Sequence, residues 1–261
     1  MSDCSPLVAL GSRLRGIPQV ITLGVKPNFL DYDQEERNLI KESRIILYPS
    51  RNYAQFFNTS GKRTFPGLET YLYADNKIMQ TTLFYMMEIP HPRTRIYYHL
   101  HHEDILKEFS FPFIGKIPRD SARGRGVFLI REKSELRDYL SLTNVAYIQE
   151  FLPHDRDLRV VLINYDPVIA YWRYSAENNF RTNLAQGGTI CFDDIPEKAV
   201  QLAVECAKRC KFDDVGVDLI CSGARWSVIE ANMKYGRKGL RMKDLDLKKI
   251  MTQKLVAGEI G

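Results

Sequence analysis

Two β-type runs placed back to back, Val215–Cys221 and Arg225–Asn232, constrain this chain more than any other segment. Both are β-branched and apolar enough for strands, and Ser222-Gly223-Ala224 between them is turn material, so the stretch is predicted to form a hairpin. With a three-residue loop, Cys221 pairs with Arg225 and Asp218 lies opposite Val228. Glu230 is then the diagonal neighbour of Asp218 on one face, and Asn232, two residues on, shares that face. Two carboxylates and an amide are hard oxygen donors of the kind Mg²⁺ accepts, with its other positions left to water and phosphate. The same residues also suit the solvated face of an amphipathic hairpin, and this segment alone serves either reading.

The rest of the chain supplies the context. Gln19–Leu23 and Arg44–Tyr48 read as short buried strands around a helix over Tyr32–Glu42, which is β-α-β grammar. Thr59–Gly67 is punctuated by Gly and Pro, and Asn76–Met87 has helical composition and stops before Pro90. Phe111–Ile117 and Gly126–Arg131 read as strands around a polar loop, followed by a short helix over Glu132–Leu140. Tyr147–Leu152 and Leu158–Asn164 are further strands, and Pro196–Cys210, with Val200, Ala203, Val204 and Ala207 on one face, is an amphipathic helix. At 261 residues the chain exceeds one small core. Three segments are expected: a short N-terminal α/β lobe over 1–75, a central lobe over 76–145 and a C-terminal lobe over 146–261.

Composition excludes little. A net charge of +5 is mild: it accommodates anionic substrates and lacks the dense basic stripe of a nucleic-acid surface, so no nucleic acid is required. The early apolar run Pro6–Leu10 is too short for a signal core, and no stretch reaches membrane-span length, so no membrane partner is expected. Five cysteines without framework spacing (Cys4, Cys191, Cys206, Cys210, Cys221) fit a reducing, cytoplasmic setting. His99-Leu100-His101-His102 lacks a spaced partner ligand and reads as a solvated segment. A homo-oligomer is left open.

Further features carry chemistry. The loop Asp120-Ser121-Ala122-Arg123-Gly124-Arg125-Gly126 lies between the strand carrying Lys116 and the strand from Val127, so its glycines can present backbone N–H groups to phosphates. It matches neither GxxxxGK nor a helix-opening GxGxxG. Gln149-Glu150-Phe151 is followed by Asp157-Leu158-Arg159, and Phe180-Arg181-Thr182-Asn183-Leu184 by Gly187-Gly188.

Taken in order over roughly Asn76 to Gly239, these parts resemble the ATP-grasp superfamily, specifically the RimK-like carboxylate–amine (alpha-L-glutamate) ligases. The resemblance implies an α/β fold in which a short N-terminal α/β lobe precedes two α+β lobes that clamp ATP. It implies that Lys77 and Lys116 contact the nucleotide, that the flap with Ser121, Gly124 and Gly126 closes over its phosphates, and that Glu150 and Phe151 hold adenine and ribose. Asp157 becomes a further nucleotide contact. Arg181, Thr182 and Asn183 line the phosphates, with Arg181 and Asn183 at the reaction centre, and Asp218, Glu230 and Asn232 hold Mg²⁺ or Mn²⁺. The implied reaction is two-step: a carboxylate attacks the γ-phosphorus, and the amine of an amino acid or peptide then attacks the acyl phosphate. An ATP-grasp small-molecule kinase and a non-catalytic nucleotide-binding module are the other readings weighed.

The chain departs from the family pattern at two places. After Glu-x-Asn, where the family has Ser-Pro-Gly, it has Met233-Lys234-Tyr235-Gly236-Arg237-Lys238-Gly239. The N-terminal lobe is also short. Both bear on the acceptor, so glutamate is not assumed as substrate. Lys234, Arg237, Lys238 and Arg241 form a basic cluster that suits either an anionic acceptor or an ordinary surface loop.

Overall fold

Short β-branched triplets build the first sheet of the structure, a computed structural model that describes residues 6–118, 126–174 and 189–260. Strands β1 (Leu7–Ala9), β2 (Val20–Thr22), β3 (Ile45–Leu47) and β4 (Arg63–Phe65) are parallel, in the order β2-β1-β3-β4. Helix α1 (Gln34–Glu42) begins at Asp33, whose carboxylate accepts from the Glu36 amide while Glu36 accepts from the Asp33 amide. That reciprocal cap starts the helix two residues later than the sequence pattern predicts and leaves Tyr32 buried. The punctuated Thr59–Gly67 stretch proves to hold the end of α2 (Arg51–Thr59) and all of β4, with Gly61 turning the chain between them at φ 79°. Helix α3 (Leu68–Tyr73) follows, then α4 (Lys77–Met86).

The second sheet is antiparallel, in the order β5-β8-β6-β7, from β5 (Thr94–Tyr98), β6 (Phe113–Lys116), β7 (Val127–Ile130) and β8 (Val145–Glu150). Helices α5 (Ile105–Glu108) and α6 (Lys133–Ser141) close its core, where Phe113, Ile130, Leu136, Tyr139 and Ile148 are buried together.

The third sheet has the order β11-β10-β9-β12-β13: β9 (Arg156–Ile163), β10 (Asp166–Tyr174), β11 (Thr189–Cys191), β12 (Asp214–Ser222) and β13 (Arg225–Asn232). Strand β10 has no counterpart in the sequence reading, because its Asp166-Pro167 opening looks like turn material. The turn itself is Asn164-Tyr165, both left-handed at φ 52° and 65°. Helix α7 (Glu197–Cys210) buries Ala203, Cys206, Ala207 and Cys210 on one face of this sheet. Phe84 of α4 and Ile89 enter the same core, so α4 packs on the third sheet. Helices α8 (Lys238–Met242) and α9 (Leu247–Val256) end the chain, and Met251 and Leu255 return to the first sheet beside Ala9 and Leu47. Among the described residues, no helix is long and apolar enough to cross a membrane.

Candidate functional site

Strands β12 and β13 meet through a two-residue turn, Gly223-Ala224, so Ser222 faces Arg225 and Cys221 faces Trp226. This corrects the expected three-residue loop. Gly223 takes φ 61°, the left-handed geometry a tight hairpin demands. The register then shifts between the pairs Asp218/Glu230 and Leu219/Val228, leaving Ile229 as an unpaired bulge residue. The bulge sets Asp218 directly opposite Glu230, where the sequence placed Val228, and Gly216 opposite Asn232. The three oxygen donors therefore share one face, while Val217, Leu219 and Ala231 point into the core on the other.

The row continues across the sheet, with Asp218 facing Arg159 on β9 and Arg159 facing Tyr171 on β10. Arg159 donates to both Asp218 oxygens at 2.6 Å, and Arg173 reaches the same carboxylate at 2.9 Å. Burial alone would raise the Asp218 pKa, but the two guanidinium charges hold it below the ordinary carboxylate value. Arg173 also donates to Asp157 at 2.6 Å, and Asp157 is 1% exposed. Asp157, expected as a nucleotide contact, is thus a buried end of a charge-balanced chain that runs through Arg173 and Asp218 to Arg159. No signal at Asp157 itself reveals this, because its partner Arg173 lies on the unanticipated strand β10.

Two lysines converge on the acid pair from other elements. Lys77, in the first turn of α4, lies 3.2 Å from Glu230. Lys116, at the end of β6, is buried, and its pKa falls to about 8. Desolvation is the main cause, with Glu230 and Asp218 pulling the value up and Lys77 pushing it down. Its ammonium also lies 5.6 Å from the centre of the Tyr147 ring.

Other side chains at the site carry no motif. The Gln80 amide donates to the Ala231 carbonyl at 2.7 Å and accepts from the Ala231 N–H at 2.9 Å, locking α4 to β13 between Glu230 and Asn232. On the next residue, Thr81 shares a 2.7 Å hydrogen bond with Tyr147 of β8. The only sequence clue is position: Gln80 follows Lys77 by one helical turn. Asp75 adds a third acid. The residue is exposed overall, yet its carboxyl is desolvated enough to raise its pKa, with the Glu230 charge adding to the rise.

The remaining expected contacts are distributed unevenly. Glu150 ends β8 with its carboxylate accepting from the Arg93 N–H at 2.6 Å, and Phe151 follows half-buried. The Gly126 carbonyl accepts from Ile117 at 2.7 Å, closing the β6–β7 hairpin. Ser121 and Gly124 of the flap, and Arg181, Thr182 and Asn183, lie outside the described residues. His99 and His101 are exposed, as expected of a solvated segment.

As a metal centre the donor set fits Mg²⁺ in kind: two facing carboxylates and an amide, all hard oxygen. Among the described residues, no three His, Cys, Asp or Glu side chains form a ready-made cage. Such a site leaves coordination positions to water and phosphate.

A model of the RimK-like ATP-grasp domain matches residues 74–255. Coenzyme gamma-F420-2:alpha-L-glutamate ligase of Methanocaldococcus jannaschii is 28% identical over 225 residues, covering 82% of this chain and 76% of that protein. A probable alpha-L-glutamate ligase of Xanthomonas euvesicatoria is 32% identical over 135 residues, 49% of this chain and 45% of that protein, so the chain spans under half of that relative. The solved structure of ATP-grasp ligase PsnB with a minimal precursor superposes with a TM-score of 0.68 at 16% identity, covering 97% of this chain and 99% of that one. The RimK domain ATP-grasp protein of Sphaerobacter thermophilus gives 0.65 at 14% identity, with 95% and 98% covered. At those identities the likeness is one of fold.

Proposed function

The chain belongs to the RimK-like ATP-grasp family of carboxylate–amine ligases, and from that premise we propose that it uses ATP and Mg²⁺ to join an amino-acid amine to a carboxylate through an acyl phosphate. The observation that carries this is the meeting of Lys77 and Lys116, from α4 and β6, with the facing acids Asp218 and Glu230. Phosphoryl transfer needs positioning and charge compensation more than a protein nucleophile, and this arrangement supplies both.

In this reading Lys116, charged below about pH 8, and Lys77 hold the nucleotide phosphates while the substrate carboxylate attacks the γ-phosphorus and ADP leaves. The amine then attacks the acyl carbon, and phosphate departs. Asp218, Glu230 and Asn232 would hold Mg²⁺, which when bound neutralises charge on the phosphate oxygens. Arg159 and Arg173 orient Asp218, and Gln80 fixes the Lys77 helix against the strand of Glu230. Glu150 and Phe151 are assigned to adenine and ribose, the flap to the phosphates, and Arg181, Thr182 and Asn183 to the reaction centre, by family position. The names of the two curated relatives support an amino acid as amine. Free cysteines among the described residues (Cys191, Cys206, Cys210, Cys221) and the need for ATP support a cytoplasmic setting.

The test is Glu230→Gln, which removes a carboxylate from a half-buried site without changing its shape. ADP release driven by ATP, Mg²⁺ and an amino-acid panel is expected to fall by about 10²-fold or more, an electrostatic contribution of the usual size, with the melting temperature nearly unchanged. Wild-type turnover in this variant would overturn the assignment.

A further inference from the structure

The segment that replaces the family's Ser-Pro-Gly is fixed to the sheet at several points. The Tyr235 carbonyl accepts from Arg159 at 2.7 Å, the same guanidinium that forks Asp218. The Tyr235 hydroxyl donates to the buried Asp214 at 2.9 Å. Gly216 leaves room for this ring: a Cβ there would lie 2.4 Å from the Tyr235 Cβ. Gly239 likewise admits the Tyr171 ring, which a Cβ would meet at 2.4 Å, and Leu240 is 2% exposed.

Between and beyond these anchors the chain turns its cations outward. Arg237, Lys238 and Arg241, with Met242, line an open cavity of about 500 Å³. Among the described residues, no carboxylate forms an ion pair with any of the three. Lys234 stands apart from this group, with its charge acting on Asp75. Three like charges within about one helical turn repel one another, so an ordered backbone that gathers them without a counter-charge is arranged for an anion. Guanidinium groups match planar or tetrahedral oxyanions bidentately, and three cations balance two negative charges better than one. The segment that leads into the cavity is tied to the reaction row, because Arg159 touches both Asp218 and the Tyr235 carbonyl, two residues before Arg237.

We propose that Arg237, Lys238 and Arg241 bind a dianionic end of the acid substrate, a phosphomonoester or a dicarboxylate, while its reacting carboxylate lies at the Asp218–Glu230 row. This deepens the ligase reading and rests on it, naming the class of acid.

The experiment titrates inorganic phosphate and, separately, glutarate into the wild type and the R237Q/R241Q double variant by calorimetry, each with and without Mg²⁺ and a nonhydrolysable ATP analogue. Both substituted side chains are exposed, and the variant is expected to keep its melting temperature and its affinity for the analogue. Its dianion affinity is expected to be about tenfold or more weaker, as for the loss of charge-assisted hydrogen bonds, in both nucleotide conditions. The tighter of the two dianions in the wild type identifies the source of the charge. Equal affinity in the two proteins, or binding to neither, overturns the inference and leaves the ligase reading intact. Discrimination retained in a wild type that fails to bind the analogue supports the anion site and overturns the ligase reading.

Discussion

At the scale of the residue, Lys116 has the most measurable consequence. Its pKa of about 8 lies below the 10.5 of a free lysine because burial disfavours the ammonium. Between those values the unfolded chain holds a proton that the folded chain lacks, so this group's contribution to stability rises with pH across the window. Phosphate binding has the opposite sign, since it needs the ammonium. The dissociation constant of a nonhydrolysable ATP analogue is therefore expected to rise above pH 8, approaching about tenfold per pH unit, the limit for one linked proton. Lys116→Arg, charged throughout, is expected to flatten that rise, and a flat wild-type profile would count against Lys116 as a phosphate ligand.

At the scale of the element, the residue count at the Ile229 bulge decides whether the site exists. In a hairpin with a two-residue turn, directly facing residues are separated by an odd interval, and Asp218 and Glu230 are separated by an even one. Deleting Ile229 would make that interval odd and leave the acids facing each other in a regular ladder, whereas an alanine inserted after Ile229 would move Glu230 opposite Val217 and toward the core. ADP release and melting temperature are both expected to collapse in the insertion, while the deletion keeps turnover at a cost of about 1 kcal/mol. An insertion that still turns over would sink this account.

The hairpin also marks how far sequence reasoning reaches. Alternation and turn chemistry made the β12–β13 pair legible, and motif order made the acids and Lys116 legible. Turn length and bulge were not, because both are settled by what the strands pack against, here Gln80 on Ala231 and Pro90, whose carbonyl accepts from Val228. Strand β10 was hidden by the Asp-Pro pair at its start, and with it Arg173 and the ion pair that Arg173 makes with Asp157.

At the scale of the molecule, the first and third sheets are joined by one buried ion pair. Arg13 reaches Asp214 at 2.5 Å, with Tyr48 and Tyr235 each donating to that carboxylate at 2.9 Å. Burial alone would lower the Arg13 pKa, but the Asp214 charge reverses this and raises it. Arg13→Leu leaves a wholly buried carboxylate short of its counter-charge and is expected to cost about 3 kcal/mol in urea unfolding, the low end for a broken buried pair because Arg13 keeps 22% exposure. A loss below about 0.5 kcal/mol, the range of surface changes, would show the pair to be incidental. Helix α4 joins the second and third sheets, with Gln80 bound to β13 and its neighbour Thr81 to β8. Recombination between relatives at the sheet boundary near residue 90 would therefore hand one parent's helix to the other parent's strands, so the heritable module here is the pair of sheets with α4 between them.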